Sequence, residues 1–563
     1  MKIVERRVPE AARRNLAAAG LHPLLARLYA ARNVGSPEEL AHGFSRLAPP
    51  QAMLGCERAA ALLADAIAAQ KRILIVADYD ADGACACAVG MRALAAFGAR
   101  VDYLVPDRRV LGHGLSPELV DLAAARGPDL LVTVDNGIAS VEGVARARAL
   151  GLATLVTDHH LPGDELPAAD CIVNPNQPGC TFPSRAISGT GVMFYVMLAL
   201  RAELRRRKAF AGREEPNLAA LADLVALGTV ADVVPLDANN RILVAQGLKR
   251  LRAGAGKPGI VALLDAAGRD ASRASCFDLG FVVGPRLNAA GRLADMSLGI
   301  ECLLADDPVR AANCARELDR LNRERQRIEG GMLEEALAGL EAPEDSGACA
   351  LALYRPGWHA GVVGLIASRV RERTGRPTVC FARAGAGELR GSGRSIAGLN
   401  LRDCLDLVAK RNPGLVPRFG GHAQAAGLTI RERDFERFAV AFERAAAELL
   451  PESARRRVLE TDGRLEPEYH SLEVAEMLEA AIWGPGFPQP LFWDTFAVES
   501  QRVVGGRHLK LALVKDGRRF EAMRFRSSEF LGASIRAAYR LGVNEFDGMK
   551  SVQLNLEYTE CDS

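Results

Sequence analysis

Apolar runs and amphipathic segments alternate between about residue 55 and residue 235. The runs RILIVA, VDYLV, DLLVTV and ATLVT are short and rich in β-branched residues, which is typical of buried strands. Segments with apolar positions at helical spacing separate them, including GCERAAALLADAIAAQ and SVEGVARARALG. Strands that alternate with helices at this spacing predict a parallel sheet with helices on both faces.

Polar residues lie where these apolar runs end. In a parallel sheet of this kind, ligands bind at the carboxyl ends of the strands. We therefore expect carboxylates and imidazoles from separate runs to meet at one edge, and we assign Asp232, which closes LADLVALGTVAD, to the same edge. The other residues of this set are Asp78, Asp80, Asp82, Asp107, Arg108, Asp135, Asp158, His159 and His160.

The chain has 563 residues, which is enough for three or four domains. We expect an α/β protein: a parallel-sheet domain and a smaller α/β domain joined by a long helix, followed by a small C-terminal β-barrel. The helix is predicted from a charged helical pattern with an apolar stripe, for which an ordinary surface helix is the alternative. The predicted boundaries are 1–54 for an N-terminal helical cap, 55–305 for the first domain, 306–342 for the connecting helix, 343–452 for the second domain and 453–563 for the barrel.

The composition predicts neither a membrane-spanning protein nor a secreted one. Hydrophobic residues make up 49% and charged residues 25% of the chain, and no apolar stretch of about 18 residues predicts a membrane span. The twelve cysteines include no C-x-x-C pair, and the N-terminus has no secretory signal pattern. We expect buried reduced thiols in a cytoplasmic protein. The net charge is only +2, so nucleic-acid binding would depend on local basic patches.

The acidic triplet in VADYDADG has several possible explanations. DYDADG matches the start of a calcium-binding EF-hand loop, but Val89 occupies the twelfth position, where a bidentate acid is needed. The stretch GAGKPG lacks the glycine spacing, and the Ser or Thr after Lys257, of a phosphate-binding loop. A solvated acidic turn stays open for the triplet alone. Together with Asp135, His159 and Asp232, the triplet favours a divalent-metal site for phosphoester cleavage.

The residue types narrow the choice of metal. Hard carboxylates with one imidazole suit Mn²⁺ or Mg²⁺, whereas zinc sites more often use Cys or several His. Two ions about 3.5–4 Å apart suit an in-line displacement at phosphorus. We therefore expect two ions of Mn²⁺ or Mg²⁺.

These motifs resemble the DHH phosphoesterase superfamily, named for an Asp-His-His triplet such as TDHH here. ADYDADG, VPDRRVLGHG, TVDNG, SGTGV, GTVADVVPL and GPRLNAAGRL occur in the family's order. WHAGVVGLIASR, GSGRS and GGHAQAAG resemble the DHH-associated domain, and WGPGFPQPLF and GGRHLKLAL resemble an OB-fold domain. Two departures are Ala77, where the family usually has Gly, and His113, where it usually has Tyr. The second leaves the nearby contact with DNA open.

The resemblance implies a role for each matching residue. Asp78 would be a metal ligand or lie close to the metals, and a water molecule would be the nucleophile. Asp158 would belong to the catalytic set, and His160 would contact the scissile phosphate or orient a ligand. The implied metal ligands are Asp80, Asp82, Asp135, His159 and Asp232. The implied substrate contacts are Arg108, Arg286, Asn288, Ser392, Arg394 and His422.

The glycines of GSGRS, beside Ser392 and Arg394, predict a loop whose backbone can approach a phosphate closely. An ordinary tight turn is the alternative for this stretch alone.

The C-terminal region contains a basic stretch interleaved with Phe520 and Phe525. Electrostatic attraction with base stacking would fit single-strand binding, although a solvated β-face is an alternative. The residues predicted to contact the strand are Arg507, Lys510, Arg518, Arg519 and Arg524.

The function implied by the resemblance is a metal-dependent 5′→3′ exonuclease that degrades single-stranded DNA to mononucleotides in repair and recombination. The implied partners are single-stranded DNA, a single-strand-binding protein and a RecQ-type helicase, with the enzyme itself a monomer. One alternative is a DHH phosphodiesterase for short RNA oligomers or cyclic dinucleotides. Another is a non-catalytic scaffold like a eukaryotic replication-helicase subunit related to this family.

Overall fold

A computed structural model describes residues 2–106, 114–338, 340, 348–385, 387–451, 458–546 and 548–561. The chain divides into two compact units. The larger consists of Ile3–Asn288, Met296–Glu317 and Glu460–Ser563. The smaller consists of Met1–Lys2, Ala289–Asp295 and Leu318–Leu459.

The N-terminal region is not purely helical. Strand β1 (Lys2–Glu5) precedes its first helix and pairs with β12 (Val458–Thr461). Farther along, Arg32 binds both carboxylate oxygens of Asp462 at 2.8 and 2.9 Å, and both side chains are buried. The N-terminal helices are thereby joined to the segment that precedes the C-terminal strands.

The larger unit contains the predicted parallel sheet. Its strands are β2 (Arg72–Ala77), β3 (Arg100–Leu104), β4 (Leu130–Val134), β5 (Ala153–Thr157) and β6 (Cys171–Val173). They lie in the order β3-β2-β4-β5-β6, and all four pairings are parallel, which confirms the prediction. Strand β3 extends the sheet from β2 in one direction, and β4 to β6 extend it in the other. The order therefore reverses between β2 and β4, where open α/β sheets bind their ligands.

The helices of the larger unit bury apolar faces against this sheet and against each other. Helix Ala81–Phe97 is an example: the Asp80 side chain accepts a hydrogen bond from Gly83 N at its start, and Gly98 ends it in the left-handed conformation. None of the helices in the described chain is both long and apolar enough to cross a bilayer. The other helices of this unit are Glu10–Ala18, Pro23–Ala30, Cys56–Ala68, Pro117–Ala124, Val141–Ala149, Gly189–Arg206, Ala222–Ala231, Ala238–Arg252, Pro258–Ala266, Ser297–Leu304, Leu472–Ala480 and a π-helical turn at Asp278–Val283.

The smaller unit contains a second five-stranded sheet. Its strands are β7 (Leu351–Tyr354), β8 (Thr378–Gly385), β9 (Glu388–Arg394), β10 (Arg418–Gly421) and β11 (Ala425–Arg431), in the order β10-β11-β9-β8-β7. Strands β7 and β8 are parallel, and the other pairings are antiparallel. Helix Pro308–Ala338 begins in the larger unit and ends in this one, and helix Gly284–Leu293 also spans the division. The remaining helices are Val363–Thr374, Leu401–Arg411 and Phe435–Leu449.

The C-terminal strands close into a barrel, as predicted. They are β13 (Phe492–Val504), β14 (His508–Lys515), β15 (Arg518–Arg524), β16 (Ser534–Phe546) and β17 (Met549–Cys561), in the order β13-β14-β15-β17-β16. Phe492, Phe496 and Tyr539 are fully buried in it. Alternation along β14 turns Leu509, Leu511 and Leu513 inward, because successive side chains of a strand point to opposite faces.

Candidate metal centre

The predicted acidic residues lie at the reversal of strand order. Asp78 follows β2, Asp80 caps the helix that begins at Ala81, and Asp135 follows β4, the neighbour of β2. Gly83 is needed in the first turn of this helix, because a Cβ atom there would lie 2.6 Å from the carbonyl oxygen of Asp78. The sequence thus brings two strand ends and one helix start to the same point.

Asp82 is fixed by the start of helix Gly189–Arg206. The backbone N–H groups of Gly189 and Thr190 donate to its two carboxylate oxygens at 2.7 and 3.0 Å. The Thr190 hydroxyl donates to Oδ1 at 2.6 Å. Hydrogen bonds from a helix N-terminus to a carboxylate are strong, so this buried side chain is held in one orientation.

Asp135 has a backbone φ of +62°, in the left-handed region. Asp and Asn enter this region more readily than other non-glycine residues. Its side chain lies against Gly189, where a Cβ atom would come within 2.5 Å of Oδ1. A glycine at position 189 therefore leaves room for the Asp135 carboxylate.

The first and third residues of the DHH triplet form a pair. Oδ1 of Asp158 accepts hydrogen bonds from the backbone of His159 and His160 and lies 2.8 Å from Nδ1 of His160. Oδ2 accepts from Ile138 N at 2.9 Å. Asp158 therefore orients the turn and the His160 ring rather than facing the other acids.

His159 faces the acidic cluster. Its Nε2 lies 3.1 Å from Asp135, 3.4 Å from Asp232 and 4.0 Å from Asp82. Asp232 follows helix Ala222–Ala231, so the assignment of this residue to a strand end is wrong. Asp232 reaches the cluster from a helix C-terminus, because this helix packs closely on Thr190 and Asp82 at Gly228. A Cβ atom at Gly228 would lie 2.1 Å from Thr190 Oγ1 and 2.7 Å from Asp82 Oδ1.

The buried carboxylates of the cluster repel one another strongly. Burial raises the pKa of Asp80 to about 6, and the charges of Asp78 and Asp82 act in the same direction. Burial and the neighbouring carboxylates also raise the pKa values of Asp135 and Asp232 well above the ordinary value. A bound cation would relieve this repulsion and favour the ionised carboxylates.

The two imidazoles differ in charge. Burial lowers the pKa of His159, which keeps the ring neutral, as a metal ligand must be. Burial also opposes protonation of His160, but its hydrogen bond with Asp158 raises the pKa to about 9. Burial likewise opposes ionisation of Asp158, yet His160 lowers its pKa to about 2. At neutral pH, His160 is therefore a cation held by an ionised Asp158.

The donor set fits divalent ions. Ligand atoms of Asp78, Asp80 and Asp135 lie within 4.8 Å of one another, and so do those of Asp82, His159 and Asp232. Asp135 Oδ1 and His159 Nε2 are buried, and no hydrogen bond within the described chain satisfies either atom. Oxygen donors with one imidazole nitrogen are typical of Mn²⁺ or Mg²⁺ sites.

Sequence reasoning missed the residues that support this cluster. Besides Gly189 and Thr190, Asn174 and Asn176 donate to the carbonyl oxygens of His160 and His159 at 3.0 and 2.6 Å. The motif SGTGV was recognised, but only as a match to the family pattern. Its position at the start of an apolar helix could have indicated backbone N–H groups available to a carboxylate.

The predicted substrate contacts of the larger unit are partly described. Asn288 Oδ1 accepts from Ala81 N at 2.9 Å, which places Asn288 beside the acidic turn. Arg286 Nη1 donates to the carbonyl of Val282 at 2.7 Å. Asp107, Arg108 and His113 lie outside the described residues.

The predicted contacts of the smaller unit lie near one another. The expectation of a glycine-rich loop at GSGRS is wrong, since Ser392 and Arg394 are on strand β9. Glycine is needed inside this strand because a Cβ atom at Gly391 would lie 2.5 Å from the Phe381 ring. Arg394 Nη1 donates to Ser392 Oγ at 3.0 Å. His422 lies in the turn before β11, whose first residue, Ala425, is paired with Arg394.

The predicted strand-binding residues do not form one face. Lys510 and Arg519 point outward and pair with Glu521 and Glu499 at 3.1 and 2.5 Å. Arg518 and Arg524 lie on the face of β15 opposite to that of Arg519, because side chains alternate along a strand. Arg507 lies in the turn between β13 and β14.

The two interleaved phenylalanines also differ in position. Phe520, predicted to stack with bases, is half-buried, and its ring packs with those of His470 and Phe496. Phe525 is 54% exposed. Phe525 is therefore the more accessible ring, and a base-stacking role for Phe520 stays a prediction.

Comparison with known proteins agrees with this arrangement. The family model "DHH family, N-terminal domain" matches residues 72–229, "DHHA1 domain" matches 347–448 and "RecJ OB domain" matches 461–558. The single-stranded-DNA-specific exonuclease RecJ of Dickeya dadantii is 50% identical over 552 residues, which cover 96% of each chain. The chain belongs to the RecJ family.

Solved structures of another RecJ family member extend the match to the fold. A crystal structure of RecJ from Thermus thermophilus in complex with Mn²⁺ has a TM-score of 0.83 and 31% identity, covering 100% of this chain and 79% of that one. A structure of the same protein with Mg²⁺ has a TM-score of 0.78 and 30% identity, covering 100% and 78%. These are the two ions that the donor types favour here.

Proposed function

We propose that this chain is a metal-dependent exonuclease that degrades single-stranded DNA to mononucleotides from the 5′ end. The main support is the pair of acidic groups at the reversal of strand order, together with RecJ relatives whose names state single-stranded-DNA-specific exonuclease activity. Hydrolysis of a phosphodiester needs a site that gathers positive charge around an anionic phosphate. A cluster of carboxylates can do so only by holding cations.

Each residue of the cluster has a proposed role. Asp78 and Asp80 would hold one ion, Asp82, His159 and Asp232 would hold the other, and Asp135 would contribute to both. When bound, Mn²⁺ or Mg²⁺ supplies the Lewis acidity that activates water and neutralises charge on the phosphate. His160, protonated and oriented by Asp158, would donate a hydrogen bond to a phosphate oxygen.

The substrate contacts are proposed on the same basis. Arg286 and Asn288, with Arg108, would bind phosphates near the cluster. Ser392, Arg394 and His422 would bind the 5′ end. The strand would continue onto the barrel, where Arg507, Lys510, Arg518, Arg519 and Arg524 remain the proposed contacts. Within this proposal the enzyme acts in the cytoplasm as a monomer, with a single-strand-binding protein and a RecQ-type helicase as partners.

The test uses strands labelled at either end. We expect wild-type protein with Mn²⁺ to release mononucleotides from a 5′-labelled single strand at once, while a 3′-labelled strand shortens progressively. Matched duplex DNA should resist. Cleavage of only short RNA oligomers or cyclic dinucleotides would support the phosphodiesterase alternative, and strand binding without cleavage would support the scaffold. Either outcome would contradict the proposal.

A further inference from the structure

The larger unit contains a cavity that the proposed reaction does not use. Its volume is about 470 Å³, which is within the range of small-molecule sites. It lies between the N-terminal helices, the end of helix Ala238–Arg252 and the segment Ala480–Ile482, which follows helix Leu472–Ala480. No described residue that lines it belongs to the candidate metal centre or to the proposed strand contacts. We call it the basic cavity.

The rim of the basic cavity is positively charged. Lys249 and Arg252 line it from the last turn of their helix, and none of the described lining residues is acidic. Arg252 Nε donates to the carbonyl oxygen of Ala274 at 2.8 Å, which fixes the guanidinium, while its Nη atoms make no hydrogen bond within the described chain. Basic residues also interact favourably with the dipole at a helix C-terminus. The dipole does not account for the other residues of the cavity.

His42 lines the basic cavity from a different part of the chain. Its Nε2 is buried, and no hydrogen bond from the described residues satisfies it. The Gln246 side chain donates to the His42 carbonyl oxygen and holds this segment on the helix. Burial lowers the pKa of His42, and the charge of Arg241 acts in the same direction, so the ring is neutral at neutral pH. An unpartnered polar atom is costly, and a polar group of a ligand is a partner that the described chain does not supply.

The floor of the basic cavity is apolar and preformed. Leu248 and Ile482 line it and are buried. Tyr29 also lines it, and its ring packs on those of Trp483 and Phe487, with centroids 5.5 and 5.7 Å apart. This packing holds the Tyr29 ring in place without a ligand. Apolar walls with a few fixed polar groups are typical of sites for small organic molecules.

These features together restrict the chemistry of the ligand. A bare inorganic anion would use the cations of Lys249 and Arg252 but not the apolar floor. A fatty acid would use the cations and the floor but would leave His42 without a partner. A nucleoside 5′-monophosphate offers a phosphate for the two cations, a flat apolar surface for the floor, and a base with hydrogen-bonding groups for the imidazole.

We infer that the basic cavity binds a nucleoside 5′-monophosphate at a site separate from the metal centre. Lys249 and Arg252 bind the phosphate, and Tyr29 and His42 contact the nucleoside. This inference rests on the proposed function in one respect, because mononucleotides are the product of that reaction. The site therefore takes the product of the enzyme as its ligand.

The test is equilibrium dialysis of the full chain against radiolabelled deoxythymidine 5′-monophosphate in EDTA, so that no metal ion contributes to binding. We expect wild type to bind the nucleotide, and Lys249→Gln to weaken binding about tenfold through loss of a charge-assisted contact. Lys249→Arg should retain binding. Ala245→Phe should also weaken it, because the larger side chain fills the cavity without changing its charge. The matched control is Lys71→Gln, which removes an exposed lysine at the start of β2 and should bind normally.

Competition with unlabelled compounds then identifies the ligand class. Thymidine and inorganic phosphate should each compete at least about tenfold more weakly than the nucleotide, because each lacks one half of the contacts. If wild type does not bind the nucleotide, if Lys249→Gln and Ala245→Phe bind as wild type does, or if inorganic phosphate competes equally well, the inference is wrong. The assay contains neither strand nor metal, so these outcomes leave the exonuclease proposal intact. That proposal fails separately, if labelled single strands are not degraded.

Discussion

Nε2 of His159 lies 3.1 Å from Oδ1 of Asp135, and both atoms are buried. No hydrogen bond from the described residues satisfies either atom. A buried polar atom without a partner is costly, so two of them facing each other indicate a third group between or beside them. A divalent ion is the group that suits a neutral imidazole and a carboxylate.

Asp135→Asn should therefore remove metal binding and cleavage but preserve the fold. Asn tolerates the φ of +62° at this position, whereas Ala would add about 1–2 kcal/mol of backbone strain. We expect Mn²⁺ at about a hundred times its Kd to stabilise the wild type by about 2.7 kcal/mol, and the Asp135→Asn variant to lose this gain. The measurement is the thermal unfolding midpoint with and without Mn²⁺, alongside the exonuclease rate.

The control for this prediction is Asp164→Asn, which neutralises an exposed acid outside the cluster. It should retain both the Mn²⁺-induced shift and the activity. Cleavage by Asp135→Asn at near wild-type rate would show that Asp135 is not a metal ligand.

Stability without metal should depend on pH in the direction set by the raised carboxylate pKa values. Asp80 has a pKa of about 6 when folded and about 3.9 when unfolded, so the folded state holds a proton that the unfolded state has lost between these values. This group therefore stabilises the metal-free protein at low pH, and its contribution is lost as pH rises from about 4 to about 6. The raised pKa values of Asp135 and Asp232 act in the same direction.

Mn²⁺ competes with these protons, so the Mn²⁺-induced rise in unfolding midpoint should be larger at a pH of about 7.5 than at a pH of about 5.5. Asp80→Asn removes both a competing proton and a proposed ligand, so it should reduce the Mn²⁺-induced rise most at a pH of about 7.5. Equal shifts at both pH values in wild type would mean that the acids are already ionised without metal.

The sequence was sufficient for the sheet and for most of the cluster, because both follow from short-range patterns. Asp78, Asp135 and His159 follow apolar runs, and parallel strands bring their carboxyl ends together. Asp232 was misassigned because the helix before it is buried on all sides from Ala222 to Thr229. A fully buried helix has no polar face, so its apolar run resembles a buried strand.

Other features depend on contacts that no local pattern reveals. The glycines of GSGRS suggest a loop, but Gly391 is in a strand because the Phe381 ring occupies the place of its side chain. The partial burial of Phe520 could have been expected from the alternation of β15, since it shares a face with the buried Ala522. The exposure of Phe277 and Phe281 could not, since their segment has apolar residues at nearly every position and only tertiary packing decides which are buried.

Freeing Arg519 from its acidic partner should strengthen strand binding by the barrel. The Arg519–Glu499 pair is largely exposed, with 66% and 48% of the side chains accessible, so its contribution to stability is small. Glu499→Gln should raise affinity for single strands at low salt. Arg519→Gln should lower affinity and flatten the log–log salt slope by about 0.7, the loss of one phosphate contact.

Glu448→Gln breaks a similar exposed pair, with Arg411, in the smaller unit and serves as the control. Its binding should match wild type. Identical slopes for wild type and Arg519→Gln would place the strand away from this face of the barrel.

Arg394 should determine the preference for a 5′-phosphorylated end. Its guanidinium is fixed on β9 by Ser392, and a Cβ atom at Gly364 would lie 2.8 Å from Ser392 Oγ and 3.2 Å from Arg394 Nη2, so the glycine leaves room for both side chains. A terminal phosphate carries more negative charge than an internal phosphodiester, and a guanidinium can donate two parallel hydrogen bonds to it. We expect Arg394→Ala to reduce the ratio of rates on 5′-phosphorylated and 5′-hydroxyl strands to near one. Arg394→Lys should restore part of the ratio, because an ammonium group cannot form the planar fork.

The control is Arg390→Ala, which removes an exposed arginine from the same face of β9 and should keep the wild-type ratio. The initial rate is measured on strands that differ only at the 5′ terminus. If Arg394→Ala kept the full preference, a group other than Arg394 would have to recognise the 5′ phosphate.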